Sequence, residues 1–385
     1  MKVSVEESSN VLLKQEGLRL TELADSILML VLSRVPLESQ QKLMRTCRRL
    51  KETLSSRGFR LVRVATGWGE RAIVRIGRPC FVLIDGVWRE FPTPKVVPLF
   101  AACAVASAPA GDALVLVGGL SPWVNKDRGD RELLSQVVAY TPGRGWSRLP
   151  DLLSPRGFVQ AEALADGRVV AFGGATNNRF SKSRDAMSLA IDAPHTTWSP
   201  LPRLPRPVSQ VATGVLGSTL FAAGGGSDRL QRLGCLDVLQ VFDGESWTVR
   251  APMPHPRRAA KGAVCRGRFY VVAGLDPMGR HTNTVFIYDP QTDRWEESCP
   301  LPRHHLQGKY RGELVAHDDR LYFFPTPDNC YDDKGVYHRP KWKQPLIFLE
   351  RTKTWTPLPL TTTAPPAWAA HTWNETEVYA SLLLG

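Results

Sequence analysis

Residues 258–302 contain the stretch that decides the fold, RAAKGAVCRGRFYVVAGLDPMGRHTNTVFIYDPQTDRWEESCPLP. Apolar and polar residues alternate in residues 259–264, and residues 268–273 form an apolar run rich in valine and aromatic residues. Both patterns predict β-strands. Residues 284–289 predict a third strand, and Trp295 opens a fourth that stops at the following prolines, because proline cannot donate a hydrogen bond to a β-ladder. Four strands in series make one antiparallel meander.

Copies of this stretch recur along the chain. One four-stranded sheet of this size cannot bury both faces, so the copies are needed to stack against each other. Tryptophans followed by a proline-containing exit recur with spacings of 58, 52, 49, 48 and 60 residues, at Trp88, Trp146, Trp198, Trp247, Trp295 and Trp355. Each later tryptophan is preceded by an apolar strand that ends in a pair of small residues, namely Gly118-Gly119, Gly173-Gly174, Gly224-Gly225 and Ala273-Gly274. In the fifth copy this pair is replaced by Phe324-Pro325.

A glycine pair, then an aromatic residue, then a tryptophan resembles the kelch repeat. Glycine suits the end of such a strand because it permits positive φ and close approach of neighbouring backbones. Kelch repeats form the blades of a β-propeller, and the resemblance covers residues 81–385. It implies a mainly β fold, a six-bladed kelch propeller over residues 63–385. In it, C-terminal strands at 369–372 and 378–384 complete the blade begun by residues 80–91.

The chain before the propeller has a different pattern. Residues 1–19 are polar and predict a flexible lead-in, whereas residues 20–62 predict a small helical domain. One helix is expected in LADSILMLVLSRVP, closed by Pro36, and a second in ESQQKLMRTCRRLKETLSS, where Leu43, Cys47, Leu50 and Leu54 share one face. Helices this short and this apolar need a further surface to cover them.

These helices resemble an F-box, and the residues that carry the likeness are Leu23, Asp25, Ile27, Leu28, Val31, Leu32, Arg34, Val35, Pro36, Leu43, Cys47, Arg48, Leu54 and Phe59. Two positions depart from the usual pattern: Ala24 replaces a proline and Leu50 replaces a common tryptophan. An F-box followed by kelch repeats resembles plant substrate adaptors of SCF-type cullin-RING ubiquitin ligases. The resemblance implies docking on the Skp adaptor protein through Leu23, Ile27, Leu28, Val31, Leu32, Val35, Pro36 and Leu43. The alternative is that the helices form a structural cap on a ligase-independent binding propeller.

The loops between the second and third strands of each unit are strongly basic. We predict that this propeller face binds an acidic or phosphorylated substrate protein, because rigid sheets position loop residues and arginine recognises carboxylate and phosphate groups. Three of the residues chosen for this role, Arg179, Lys182 and Arg280, lie in these loops. The other three, Arg156, Arg258 and Arg303, stand just before the first strand of successive units, where the kelch resemblance implies arginines that line the mouth of the channel. Trp123, Phe180, Tyr331 and Tyr337 are candidate aromatic anchors, although each residue is also explained as a solvated or loop-pinning side chain.

The composition of the chain argues against a disulfide-rich, a secreted and a membrane-spanning protein. The 385 residues have a formal net charge of +12 and seven scattered cysteines, an odd count that favours a reducing compartment over a disulfide scaffold. The N-terminus has too short an apolar core for a signal peptide, and no apolar run reaches membrane-spanning length. We therefore expect an intracellular protein, cytoplasmic or nuclear, with no membrane partner.

Catalysis and nucleic-acid binding find little support in the sequence. Some kelch-type propellers are copper oxidases, but copper requires converging histidines, and His304-His305 is the single adjacent pair in the chain. The basic residues of 42–63 are interspersed with an apolar spine, which favours a solvated helix face over a nucleic-acid site. We predict a non-catalytic adaptor without metal or cofactor, whose partners are Skp, a cullin and the captured substrate.

Overall fold

The structure is a computed structural model. It describes residues 28–29, 32, 43, 45–55, 70–77, 80–84, 87–106, 112–125, 130–141, 144–177, 181–191, 196–226, 234–302, 312–325, 344–358 and 378–384. The chain divides into two compact units, of which one contains helix α1 (Arg48–Ser55) and the other contains the β-sheets.

The β-unit consists of six four-stranded sheets, which we number as blades, with strands named β1 to β26 in chain order. In hydrogen-bonded order, blade 1 contains β26 (Val378–Leu384), β1 (Glu70–Ile76), β2 (Cys80–Ile84) and β3 (Val87–Phe91). Blade 2 contains β4 (Ala102–Ala106), β5 (Ala113–Val117), β8 (Val137–Thr141) and β9 (Gly145–Leu149), with the hairpin β6 (Leu120–Val124) and β7 (Arg131–Leu133) between its second and third strands.

The other four blades each use four consecutive strands. Blade 3 contains β10 (Gln160–Ala163), β11 (Arg168–Phe172), β12 (Ala186–Ala190) and β13 (Ser199–Leu201). Blade 4 contains β14 (Ala212–Leu216), β15 (Thr219–Ala223), β16 (Leu239–Phe242) and β17 (Trp247–Arg250). Blade 5 contains β18 (Lys261–Cys265), β19 (Arg268–Val272), β20 (Val285–Asp289) and β21 (Arg294–Ser298). Blade 6 contains β22 (Gly312–His317), β23 (Arg320–Pro325), β24 (Leu346–Leu349) and β25 (Thr354–Pro357).

The core lies between neighbouring blades. Each described hydrophobic cluster of the β-unit takes residues from two neighbouring blades, and one of them joins Phe81 and Trp88 of blade 1 to Tyr322 and Phe324 of blade 6. The first strands of blades 2 to 6 contact each other in turn, as blades around a common axis do. The prediction of a mainly β, six-bladed kelch propeller is confirmed, and β26 shares a sheet with the three N-terminal strands.

Each second strand is buried on both faces, as the apolar runs predict. Strand β5, ALVLV, is buried along its whole length, and β15 and β19 are buried after their first residue. The glycine pair that follows is required by the backbone. Gly225 has a φ of +101°, and a methyl group built there would lie 2.6 Å from Val211 Cγ1 and 2.8 Å from the Ser209 carbonyl oxygen.

The second predicted helix is interrupted. Residues 45–47 form a turn in which the Thr46 amide and hydroxyl both donate to the Leu43 carbonyl, and α1 begins at Arg48. The Cys47 sulfur then accepts the Leu50 amide at 3.4 Å, a capping contact that satisfies a first-turn N–H group. Local hydrogen bonding by a threonine therefore divides a segment whose apolar spacing alone predicts one continuous helix.

Candidate protein-binding face of the propeller

One end of the propeller is built by the loops that join second to third strands and by the segments that lead into the first strands. We call this end the rim face; its described residues fall within 120–136, 152–158, 175–185, 204–210, 234–237, 253–259 and 275–284. Gly157 bridges Ala175 in blade 3, and Arg258 bridges Leu275 in blade 5. Each loop is thereby fastened to the backbone of its own blade, which holds its side chains in place.

The rim face presents large apolar side chains to solvent. Trp123 is 61% exposed and Met278 is 69% exposed, and Val124 and Leu153 are also exposed. Trp123 and Val124 lie on β6, and the guanidinium of Arg131 ties the hairpin by donating to two of its carbonyl groups. A tryptophan on a fastened hairpin is a typical anchor for a protein partner, because it buries a large area at low entropic cost.

The predicted basic site residues fall into different environments. Arg156 is only 2% exposed, so it does not present its guanidinium on the surface. Arg258 is half-buried, and Arg280 is exposed but paired with Asp276 of its own loop at 2.8 Å. Lys182 is half-buried, with its Cε 3.7 Å from a methyl group built at Gly226 of blade 4. The remaining two, Arg179 and Arg303, lie outside the described residues.

A second buried arginine, Arg257, is missing from the predicted set. It is 2% exposed, and its Nη1 donates to the Ala273 carbonyl at 3.2 Å, as Arg156 Nη1 donates to the Gly173 carbonyl at 3.0 Å. The sequence holds a signal for this equivalence, because a proline stands directly before each of the two arginines. Arg258, which was predicted, is its half-buried neighbour.

The first strands carry polar groups beside the propeller axis. Glu162 on β10 accepts a 2.5 Å hydrogen bond from the Thr213 hydroxyl on β14, and Lys261 on β18 pairs with Glu313 on β22 at 2.5 Å. Burial raises the pKa of Glu162 to about 7, against the lowering effect of the Thr213 hydrogen bond. Burial, and then the nearby Glu162 and Glu313 charges, raise the pKa of the Cys103 thiol, so it stays protonated near neutral pH.

Only three of the eight predicted Skp-docking residues are described. Leu28 is 0% exposed and Leu32 is buried, and both pack with Leu50 and Leu54 of α1. These two leucines are therefore part of the cluster that includes α1, and their docking role stays a prediction. Leu43 is half-buried at the edge of the same cluster. The other five lie outside the described part of the chain, namely Leu23, Ile27, Val31, Val35 and Pro36.

The described residues contain neither a metal-binding cluster nor a membrane-spanning helix. No group of three or more histidine, cysteine, aspartate or glutamate residues in these ranges is arranged to hold a metal ion. No helix within the same ranges is long and apolar enough to cross a membrane.

Six four-stranded blades around a common axis define the fold class, a six-bladed β-propeller. The chain belongs to the kelch-repeat family: the family model described as "KLHDC2/KLHL20/DRC7 Kelch-repeats domain" matches residues 101–325. Among solved structures, the chain is similar to "Structure of YjhT", with a TM-score of 0.58 and 13% identity over 75% of this chain and 94% of that chain. At that identity the similarity shows the fold alone.

Curated relatives match over parts of their length. Kelch-like protein 35 of Mus musculus is 30% identical over 55% of this chain and 34% of its own length. The F-box/kelch-repeat protein At1g30090 of Arabidopsis thaliana is 27% identical over 46% of this chain and 44% of its own length. The putative F-box/kelch-repeat protein At4g11770 of the same plant is 27% identical over 35% of this chain and 31% of its own length. The chain thus spans less than half of each of these relatives.

Proposed function

We propose that this protein is a substrate-recognition adaptor of an SCF-type cullin-RING ubiquitin ligase. The propeller binds the protein to be ubiquitinated through its rim face, and the N-terminal helices dock on the Skp adaptor protein. The observation that carries the binding role is the exposure of Trp123 on the hairpin that Arg131 fastens. The ligase role is supported by the F-box resemblance of residues 23–59 and by the two plant relatives named F-box/kelch-repeat proteins.

The proposed mechanism is proximity. The adaptor holds its substrate near the ubiquitin-transfer machinery, which raises the effective concentration of the reacting groups. The chain itself performs no chemistry in this proposal and needs no metal or cofactor. Its location would be intracellular, in the cytoplasm or the nucleus.

The proposed docking surface consists of Leu23, Ile27, Leu28, Val31, Leu32, Val35 and Pro36, with Leu43 at its edge. A charge at a docking position should cost several kcal/mol of binding energy, because it would be buried unpaired against the partner. Ile27→Asp and Val31→Asp are therefore expected to abolish copurification of Skp and the cullin. Leu349→Asp, at an exposed apolar residue of blade 6, serves as the matched control and should leave copurification unchanged.

The substrate-binding half of the proposal has its own test. Affinity purification with the cullin pathway inhibited should trap substrates together with the ligase components. Trp123→Ala is expected to lose the trapped substrates while retaining Skp. Val249→Ala, at an exposed apolar residue on the outer strand β17, should retain both. Retention of the substrates by Trp123→Ala would show that this hairpin is not the binding surface.

A second candidate function is a ligase-independent binding propeller with a helical cap. It is favoured by the complete burial of Leu28, which shows that part of the apolar helical surface is already covered within the chain. The two candidates differ in one result. Purification that retrieves substrates but neither Skp nor a cullin, with wild-type protein, would support the scaffold and contradict the ligase adaptor.

A further inference from the structure

The contact surfaces between neighbouring blades are closed in different ways. We call each such surface a seam and name it by the numbers of its two blades. At seam 2/3 the indole N–H of Trp198 donates to the Pro150 carbonyl at 2.9 Å, and at seam 4/5 that of Trp295 donates to the Ala251 carbonyl at 2.8 Å. The corresponding indole nitrogen of blade 4, in Trp247, is buried and has no hydrogen-bond partner among the described residues. Seam 3/4 therefore lacks the bond that closes the outer side of both neighbouring seams.

A buried arginine closes the rim-face end of the same two neighbouring seams. Arg156 bonds both blades of seam 2/3, because its carbonyl accepts the Gly119 amide of blade 2 and its Nη1 donates to the Gly173 carbonyl of blade 3. Arg257 bonds blades 4 and 5 in the same way. At seam 3/4 the residue whose carbonyl accepts the corresponding glycine amide is Val208, and its side chain has no donor. This end of seam 3/4 therefore also lacks a side-chain hydrogen bond found in its neighbours.

Two hydrogen bonds hold seam 3/4 on the side of the propeller axis. The Thr213 hydroxyl of β14 donates to Glu162 of β10 at 2.5 Å. Three residues beyond Glu162, the Ala165 amide donates to the Gly217 carbonyl of blade 4 at 3.1 Å. Farther from the axis, a buried apolar cluster fills the seam, and apolar packing does not fix a geometry as hydrogen bonds do. The axis side is therefore where polar contacts hold blades 3 and 4 together.

The two neighbouring seams are closed on the axis side by backbone contact and small apolar side chains. At seam 4/5 a methyl group built on Gly262 would lie 2.4 Å from the Thr213 carbonyl oxygen, so the inner backbones already touch. At seam 2/3 Ala102 of β4 packs with Ala161 of β10 in one buried cluster. Seam 3/4 depends instead on a carboxyl group, that of Glu162, whose charge varies with pH.

The elements around Glu162 leave its carboxyl group without a cation to neutralise it. Strand β14 has no titratable residue, and those on the other elements are Cys103 of β4, Arg168 of β11 and, farther around the axis, Lys261 of β18 and Glu313 of β22. Arg168 pairs with Asp166 at 2.8 Å and donates to the Gly244 carbonyl of blade 4 at 3.4 Å. Lys261 pairs with Glu313 at 2.5 Å, so both cations are already neutralised. Desolvation consequently raises the pKa of Glu162 to about 7, although the Thr213 hydrogen bond opposes that shift.

We propose that the hydrogen bond between Glu162 and Thr213 is a pH-sensitive clasp: when Glu162 loses its proton, seam 3/4 opens on the axis side while seams 2/3 and 4/5 stay closed. An ionised carboxylate is costly in a desolvated site, and opening lets water reach it. The rim loops of blades 3 and 4 also meet at this seam, where Lys182 Cε lies 3.7 Å from a methyl group built at Gly226. Opening would therefore change the spacing of these two loops.

The test is amide hydrogen exchange of the full chain at pH 6 and pH 8, resolved to single residues. Rates are expressed as protection factors, which correct for the intrinsic effect of pH on exchange. Ala165 reports on seam 3/4, because its amide crosses that seam to Gly217. Ala259 is the matched control, because its amide crosses seam 4/5 to the Gln210 carbonyl at 2.8 Å. Local opening of one seam exposes one of these amides and not the other.

The protection of Ala165 in wild type is expected to fall about tenfold between pH 6 and pH 8, and that of Ala259 to stay unchanged. The magnitude follows from a pKa of about 7 in the closed seam and the ordinary value of 4.5 in a hydrated one. Equal falls at both amides would overturn the clasp, since they would reflect the stability of the whole propeller. Protection of Ala165 that does not change with pH would overturn it as well.

Glu162→Gln assigns the effect to its residue. This variant keeps an acceptor for Thr213 and removes the titration, so the protection of Ala165 should be equal at the two pH values. A fall that persists in Glu162→Gln would overturn the clasp, because another group would then cause it.

Thr213→Val takes its place if Glu162→Gln does not fold. It removes the donor at similar side-chain volume, so the protection of Ala165 should already be about fivefold lower at pH 6. Unchanged protection of Ala165 would show that the hydrogen bond does not hold the seam. The exchange is measured on the isolated protein, so failure of Skp copurification would contradict the proposed function and leave this result intact.

Discussion

The Thr213 hydroxyl donates a 2.5 Å hydrogen bond to Glu162, which joins the first strand of blade 4 to that of blade 3. The acceptor is the carboxyl group of a half-buried residue, and desolvation raises its pKa from an ordinary value of 4.5 to about 7. An acidic group with a raised pKa binds its proton more tightly in the folded state than in the unfolded state. The stability of the propeller should therefore depend on pH in a window that ends near neutrality.

The expected direction follows from the two pKa values. Between pH 4.5 and about 7 the unfolded chain loses the Glu162 proton while the folded chain keeps it, so stability falls as pH rises. The total effect is on the order of 3 kcal/mol as an upper bound. Glu162→Gln removes the titration and keeps a hydrogen-bond acceptor for Thr213. Chemical denaturation at pH 5 and pH 8 should show that this variant gains stability relative to wild type at the higher pH only.

Three aspartates have pKa values that are shifted in the opposite direction. The pKa values of Asp185, Asp276 and Asp293 lie below their ordinary value because each accepts hydrogen bonds in the folded state. These groups contribute stability that is lost only in more acidic solution. An identical pH dependence in wild type and Glu162→Gln would contradict the role of Glu162.

A second prediction compares two glycines with positive φ, Gly225 in a crowded site and Gly217 in an open one, to separate the steric cost of an added methyl group from the conformational cost. Gly225→Ala should destabilise the fold by about 3 kcal/mol, because the added methyl group meets Val211 and the Ser209 carbonyl at a φ of +101°. Gly217→Ala is the control: its φ is +61°, and nothing lies within 4 Å of the added methyl group. It should cost only about 1 kcal/mol, the conformational part. Equal losses in urea denaturation would show that close backbone approach is unimportant at the glycine pair.

A third prediction concerns the tryptophans. Trp198 is buried and donates its indole N–H to the Pro150 carbonyl at 2.9 Å, which links blade 3 to the exit of blade 2. Trp198→Phe should cost about 2 kcal/mol, from the lost hydrogen bond and the smaller ring. The indole nitrogen of Trp247 is buried and has no hydrogen-bond partner among the residues that the structure describes, so Trp247→Phe should cost clearly less. The comparison is made by thermal unfolding, and a greater loss at Trp247 would contradict it.

A fourth prediction concerns the ion pair between blades 5 and 6. The side chains of Lys261 and Glu313 are 36% and 19% exposed, whereas those of Arg148 and Asp151 are 67% and 38% exposed. Solvent screens the second pair more strongly. A double-mutant cycle with Lys261→Met and Glu313→Gln should give a coupling energy of about 1 kcal/mol, already reduced for the exposure of the lysine. The surface pair should give less than about 0.5 kcal/mol, and the reverse order would contradict the argument.

Loop composition predicted the basic residues and Trp123 of the rim face, but it did not show which arginine side chains are buried. Arg257 and Arg258 are adjacent in sequence, and composition does not reveal which of them turns inward. The choice depends on the lead-in backbone, where Ala259 adopts a φ of +53° before β18 begins. Likewise, the apolar spacing of Leu43, Cys47, Leu50 and Leu54 placed them in one cluster, but the turn at Thr46 depends on a local hydrogen bond that periodicity does not encode.

The order of the strands and the number of blades can be predicted from short-range features of the sequence. Alternating or continuous apolar runs, glycine where φ is positive and proline where a ladder ends all act over a few residues, and their recurrence with each tryptophan implies stacked sheets. The pairing of buried charges, in contrast, does not depend on residues that are close in sequence. Arg156 forms an ion pair with Asp185, which is 29 residues away in sequence, whereas Arg257 has no ion-pair partner among the described residues. The difference arises because the folded backbone determines which loop atoms surround each guanidinium group.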